Sequence, residues 1–146
     1  MFGARPYRGR MGMRSVNKQV IADFRAGHEI SIEGVHRERL VLLTTIGART
    51  FVPTTVPVMF TTTERGILVV ASNDGAEHEP QWYHNVVADP LVHVEESDRE
   101  YDGAARVLAQ KARDAAWAHL IAEHPFFVDQ QEKAGRELPL VEITKT

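Results

Sequence analysis

The chain contains no cysteine in its 146 residues. That absence excludes disulfides, thiolate catalysis and zinc–thiolate centres, and makes a reducing cytoplasm the expected location. Long hydrophobic runs are absent too. Apolar residues make up 43%, enough for one core, but each run is only strand-length, so no transmembrane helix is expected. The formal net charge is only −3, which argues against a general nucleic-acid binder. Acidic residues are missing from the first 18 positions, which carry Arg5, Arg8, Arg10, Arg14 and Lys18. No apolar segment accompanies these cations, so they do not form a secretory signal. They read as a basic arm over 1–16, ahead of a single domain over 17–146.

Within that domain the hydrophobic spacing alternates between strand and helix periods. Asn17 to Arg25 places Val20, Ile21 and Phe24 on one helical face, closed by Gly27. His28 to Gly34 reads as a weak strand. Leu40 to Ile46 is a β-branched apolar strand, and a turn over Gly47–Phe51 leads into a second strand over Pro53–Phe60. Its two prolines, Pro53 and Pro57, argue against a continuous ladder on both sides. Strands are also expected at Ile67–Ala71, Leu91–Glu95, Glu100–Arg106 and Leu138–Ile143, with Asp102-Gly103 weakening the third of these. Leu108 to Glu123 reads as a helix with Trp117, Leu120 and Ile121 inward. Short strands with helices between them indicate an α+β domain around a small antiparallel barrel.

The richest segment runs from Ala71 to Pro90: A-S-N-D-G-A-E-H-E-P-Q-W-Y-H-N-V-V-A-D-P. An apolar strand ends in Ser-Asn-Asp-Gly, residues that tolerate left-handed backbone. A short helix then opens near Pro80 and carries Trp82, Asn85 and Val86 at helical spacing. A strand, a polar turn and a helix N-terminus present free N–H groups suited to the polar edge of a flat ligand.

This segment resembles the A-S-x-G-G-A-x-x-x-P-x-W-Y-x-N-x-x-A-x-P signature of the deazaflavin-dependent nitroreductase family. The match falls on Ala71, Ser72, Gly75, Ala76, Pro80, Trp82, Tyr83, Asn85, Ala88 and Pro90, with Asp74 where the family usually has the first of two glycines. Leu42–Gly47 through Pro57–Phe60 is similar to the family's L-L-T-T-x-G-R hairpin. His124-Pro-Phe-Phe and Arg136–Val141 are similar to its aromatic turn and its R-x-[IL]-P-[IL]-V strand. The resemblance implies a split β-barrel of about six mainly antiparallel strands with flanking helices, coenzyme F420 as cofactor, and a reductase acting on an activated double bond, a quinone or a nitro group. Flavin mononucleotide, haem or no cofactor are the alternatives on related barrels, and monomer or homodimer remain open.

The resemblance also implies where the cofactor lies. Its phosphate belongs on the hairpin loop with Ala48, Arg49 and Thr50, and Thr54 and Thr55 follow in the next strand. Here Phe51 replaces a family glycine, which would block close backbone approach, and Thr54 replaces a second arginine. The ring belongs against Pro57, Val58 and Met59, with Ser72, Asn73 and Trp82 near its edge, and Val56, Ala71, Gln81, Tyr83 and Asn85 complete the cofactor-binding set. The substrate positions are His124, Phe127 and Gln130. His124 can donate a proton near neutral pH, whereas Phe127 can only stack. The remaining histidines lack ligand spacing, so no metal is expected. The loop departures support an alternative function: a cofactor-independent small-molecule pocket, or a non-redox biosynthetic enzyme on the same scaffold.

Overall fold

The computed structural model describes residues 13–30 and 36–146. Its elements are α1 (Met13–Arg25), β1 (Leu40–Ile46), β2 (Pro53–Thr62), β3 (Ile67–Val70), α2 (Gln81–Ala88), β4 (Leu91–Glu95), β5 (Glu100–Val107), α3 (Gln110–Glu123), α4 (Phe126–Ala134) and β6 (Leu140–Lys145). The six strands close into an antiparallel barrel in the order β1-β2-β3-β6-β5-β4. The expected barrel with flanking helices is therefore present. Among the described residues, no helix is long and apolar enough to cross a membrane.

β1 is apolar along most of its length because it is covered on both faces. Val41 and Leu43 point into the barrel with Val58, Val69, Val94, Val141 and Ile143. Leu40 and Leu42 point outward, under Val20 and Phe24 of α1. Each fully buried leucine contributes about 1.5–3 kcal/mol by leaving water, so both layers anchor this strand. On the opposite side Leu68 and Leu140 pack outward against Leu120 and Phe127.

Three details differ from the sequence expectation. α1 begins at Met13, four residues before Asn17, so 13–16, placed in the basic arm from sequence, belong to the helix, and 1–12 lie outside the described residues. β5 runs unbroken through Asp102-Gly103. A side-chain carbon at Gly103 would meet Ile143 Cγ2 at 2.9 Å, so glycine there accommodates a core side chain without ending the strand. The turn after His124 is a nine-residue helix, α4. Pro125 stands at its N-terminus and Gly135 closes it in the left-handed conformation, φ 65°. Of the weak strand expected over 28–34, residues 31–34 lie outside the described residues, and His28–Ile30 form no regular element.

Candidate functional site

β2 creates the opening. It pairs with β1 in register from Pro53 to Met59, through both prolines. β3 meets only its far end, Phe60–Thr62. The stretch 53–59 thus has a ladder on one side alone, and half of its backbone groups face away from β1. A cavity of about 270 Å³ lies on that open side, against Val56, Pro57, Val58 and Met59. Ser72, Asn73 and Asp74 form its second wall, Pro80, Gln81 and Trp82 its third, and Phe127, Gln130 and Asn17 close it. Ten of the residues singled out from sequence therefore line one space.

The second wall is an unusual backbone held by one side chain. Asn73, Asp74 and Gly75 are all left-handed, with φ of 48°, 54° and 78°. Asn and Asp reach that region at less cost than other side chains. Arg136, just past the cap of α4, adds hydrogen bonds to those that the curl makes internally. Its Nε donates to the Ala76 carbonyl at 3.1 Å. Its Nη2 donates to the carbonyls of Ser72 and His78 at 3.2 and 3.1 Å. Its Nη1 pairs with the Glu79 carboxylate. Burial pushes the Glu79 carboxyl above its usual value, while Arg136 pulls it the other way. Lys133 Nζ adds a bond to the Asp74 carbonyl at 3.2 Å.

Asn85 forms a second bracket. It is 1% exposed. Its Nδ2 donates to Thr45 Oγ1 at 2.9 Å, and its Oδ1 accepts from the Ala48 N–H and from Gln81 Nε2, both at 3.0 Å. Its polar atoms therefore join α2 to β1 and the hairpin loop, behind the cavity wall. Tyr83 packs against the barrel core beside it, and Ala71 is fully buried.

At position 51 the hairpin loop keeps a left-handed backbone on a residue that is not glycine. Phe51 sits at φ 59° with its ring 78% exposed. Thr50 Oγ1 accepts from the Val52 N–H at 3.2 Å, Thr54 donates to the Val52 carbonyl at 3.3 Å, and Thr55 shares a hydrogen bond with Thr44 at 2.7 Å. Arg49 is exposed and makes no ion pair among the described residues. Ala48, Arg49, Thr50, Thr54 and Thr55 thus lie outside the cavity lining, at the hairpin end of β2.

His124 lies beside a second, larger space of about 520 Å³, which shares Met59, Val70 and Phe127 with the first. Arg39 Nη1 stands 3.4 Å from His124 Nδ1. Arginine can only donate, so Nδ1 accepts and the neutral ring carries its proton on Nε2. The sequence reading missed Asn17 and Asp74 in the wall, Arg39 beside His124, and the role of Arg136. Arg136 was visible in its R-x-[IL]-P-[IL]-V segment, but its contacts lie some sixty residues upstream.

The sequence model described as F420H(2)-dependent quinone reductase matches residues 17–145. An F420H(2)-dependent quinone reductase of Mycobacterium tuberculosis is 28% identical over 109 residues, which is 72% of each chain. The solved structure of an F420-H2 dependent reductase (FDR-A) is similar with a TM-score of 0.63 and 34% identity, covering 77% of this chain and 100% of that one. A solved domain-swapped dimer is 31% identical, with a TM-score of 0.65 over 88% of this chain and 95% of its own.

Proposed function

We propose that this chain, which belongs to the F420H(2)-dependent quinone reductase family, reduces a small quinone-like acceptor with coenzyme F420. The observation that carries the reading is the cavity at the split between β2 and β3, where the family resemblance puts the ring. The residues present suit a flat heterocycle. Trp82, Met59 and Phe127 offer apolar walls, and the unpaired edge of 53–59 and the 72–74 turn offer polar groups. Two side-chain oxygens of the lining, Asn17 Oδ1 and Gln130 Oε1, are buried without a partner, as expected of a site built around polar ring edges. The alternative of a cofactor-free pocket draws no support from the relatives described above.

When bound, the reduced cofactor supplies the hydride. The protein's part is placement, exclusion of water and delivery of a proton. Val56–Met59 and Trp82 would hold the ring. Arg49, without an ion pair among the described residues, would pair with the phosphate through charge-assisted hydrogen bonds, with Thr50 and the basic arm in support. Phe127 lines both spaces, so an acceptor entering from the larger one would stack on its ring while reaching the ring cavity. A doubly protonated His124 would give its Nε2 proton to the acceptor oxygen that gains charge and be left as neutral imidazole; Arg39 stands at the ring's other nitrogen. The substrate is a small molecule rather than a nucleic acid, and the working unit is the single domain over 17–146, as monomer or homodimer, in the cytoplasm.

Fluorescence titration of oxidised coenzyme F420 tests this directly. Saturable quenching is expected. No quenching at about 1 mM cofactor, where binding needs only about 4 kcal/mol, would overturn it.

A further inference from the structure

Only two side-chain polar atoms among the described residues are buried without a hydrogen-bond partner: Asn17 Oδ1 and Gln130 Oε1. Both residues line the same cavity of about 270 Å³. They arrive from opposite ends of the chain, on α1 and α4. Natural proteins rarely leave such atoms unpaired, because each one lowers the stability of the fold. Two in one cavity, and none elsewhere among the described residues, point to a ligand.

Both atoms are acceptors, and the orientation of Gln130 is fixed by its neighbour. Its Nε2 faces Asp74 Oδ1 at 3.5 Å. Exchanging the amide ends would set an oxygen against that carboxylate, so Oε1 is the free end. The missing partner therefore brings donors.

We propose that Asn17 and Gln130 form an acceptor pair that recognises ring N–H or O–H donors on the molecule filling this cavity. This rests on the functional reading above. A simple quinone has only acceptor oxygens and leaves both amides unpaired. The donors come either from the ring N–H groups of the cofactor's pyrimidinedione or from an amino or hydroxyl substituent on the acceptor. Terminal amide torsions are soft, so a small rotation presents each oxygen. Both oxygens are shut off from bulk water, so a donor meets them without competition and binds more strongly than at a surface. Sites built this way discriminate steeply against analogues that lack the donor.

The test uses Asn17→Leu and Gln130→Met, which keep shape and remove the acceptor. Three ligands are titrated by fluorescence against the full chain: oxidised coenzyme F420, a methylnaphthoquinone and the aminonaphthoquinone of the same substitution pattern. The last two share a shape and differ in N–H groups. Each variant should melt at a higher temperature than the wild type, since a buried unpaired amide is gone, and should bind the donor-bearing ligand about tenfold more weakly. Weaker F420 binding with unchanged naphthoquinone binding assigns the donors to the cofactor. Loss of a wild-type preference for the amino over the methyl compound assigns them to the substrate. If both variants bind all three ligands as the wild type does, the proposal fails. Should the wild type prefer the amino compound yet ignore F420, the acceptor pair stands and the cofactor reading falls.

Discussion

Phe51 is where the hairpin loop departs from its family, and its backbone allows a sharp test. The residue sits at φ 59° with its ring 78% exposed. A side-chain carbon in the left-handed region costs roughly 1–2 kcal/mol. Phe51→Gly removes that cost, while the added freedom of the unfolded chain takes back about 0.5–1 kcal/mol. The loop bond from the Phe51 N–H to the Gly47 carbonyl, 2.9 Å, is unaffected. Phe51→Ala is the control, because it discards the same exposed ring and keeps the strain. The glycine variant should therefore be more stable than the alanine variant by up to about 1.5 kcal/mol, or a few degrees in Tm for a chain of this size. Thermal unfolding of the two variants side by side measures the difference. A glycine variant that melts below the alanine variant would refute the strain. The same pair examines function: glycine, but not alanine, lets the loop backbone close on an anion. Tighter F420 binding is expected in Phe51→Gly alone.

Arg136→Ala strips donors from the carbonyls of Ser72, Ala76 and His78 and leaves Glu79 half-buried without its cation; loss of about 3–5 kcal/mol is expected, read by chemical denaturation, and Arg136→Lys should restore little because one ammonium cannot reach that spread of acceptors. His124→Ala should lower turnover by about 10²–10⁴-fold while leaving F420 affinity within twofold, roughly the spread of an uninvolved site; steady-state kinetics beside the fluorescence titration separates the two. His93 is held between Asp102 at 2.8 Å and Glu100 at 2.7 Å, and these hydrogen bonds raise its pKa. A raised folded pKa means that its stabilisation is complete below about pH 6.5, the unfolded value, and is lost as pH rises through the folded value. The Tm gap between wild type and His93→Gln should therefore be widest near pH 6, close in alkali and shrink with salt; a gap that grows with pH contradicts this sign.

Strands covered on both faces were legible in the sequence, because Leu40–Leu43 and Ile67–Val70 are continuous apolar runs. α4 was not. Its nine residues, F-F-V-D-Q-Q-E-K-A, cluster their large apolar groups at one end and show no helical period. What holds them is tertiary, through Phe127 against Leu68, Leu120 and Leu140. The prolines of β2 were read correctly as a bar to pairing on both sides, but the reason is positional: they fall where β3 has not yet arrived. The cavity wall could be named from the A-S-N-D-G turn and Trp82, since local backbone preference builds it. Asn17 and Arg136 could not, because their significance comes from contacts made across most of the chain.

The same division separates the cavity from the loop departures. The cavity is shaped by Arg136 on the 71–79 turn and by the one-sided edge of β2. Neither depends on Phe51 or Thr54, which lie at the hairpin end with their side chains in water. If the proposed site holds the cofactor, the absence of a second arginine at Thr54 would remove one charged hydrogen bond to its phosphate, worth about 1.5–3 kcal/mol, without moving Trp82 or Met59. Such a loss weakens ground state and transition state alike, so it raises the cofactor concentration needed for half-saturation and leaves the chemical step unchanged. Asn85 is the exception that couples the two halves. Its Oδ1 holds both the Ala48 N–H of the loop and Gln81 at the mouth of the cavity. Through that one carboxamide, the hairpin loop stays in register with the cavity wall.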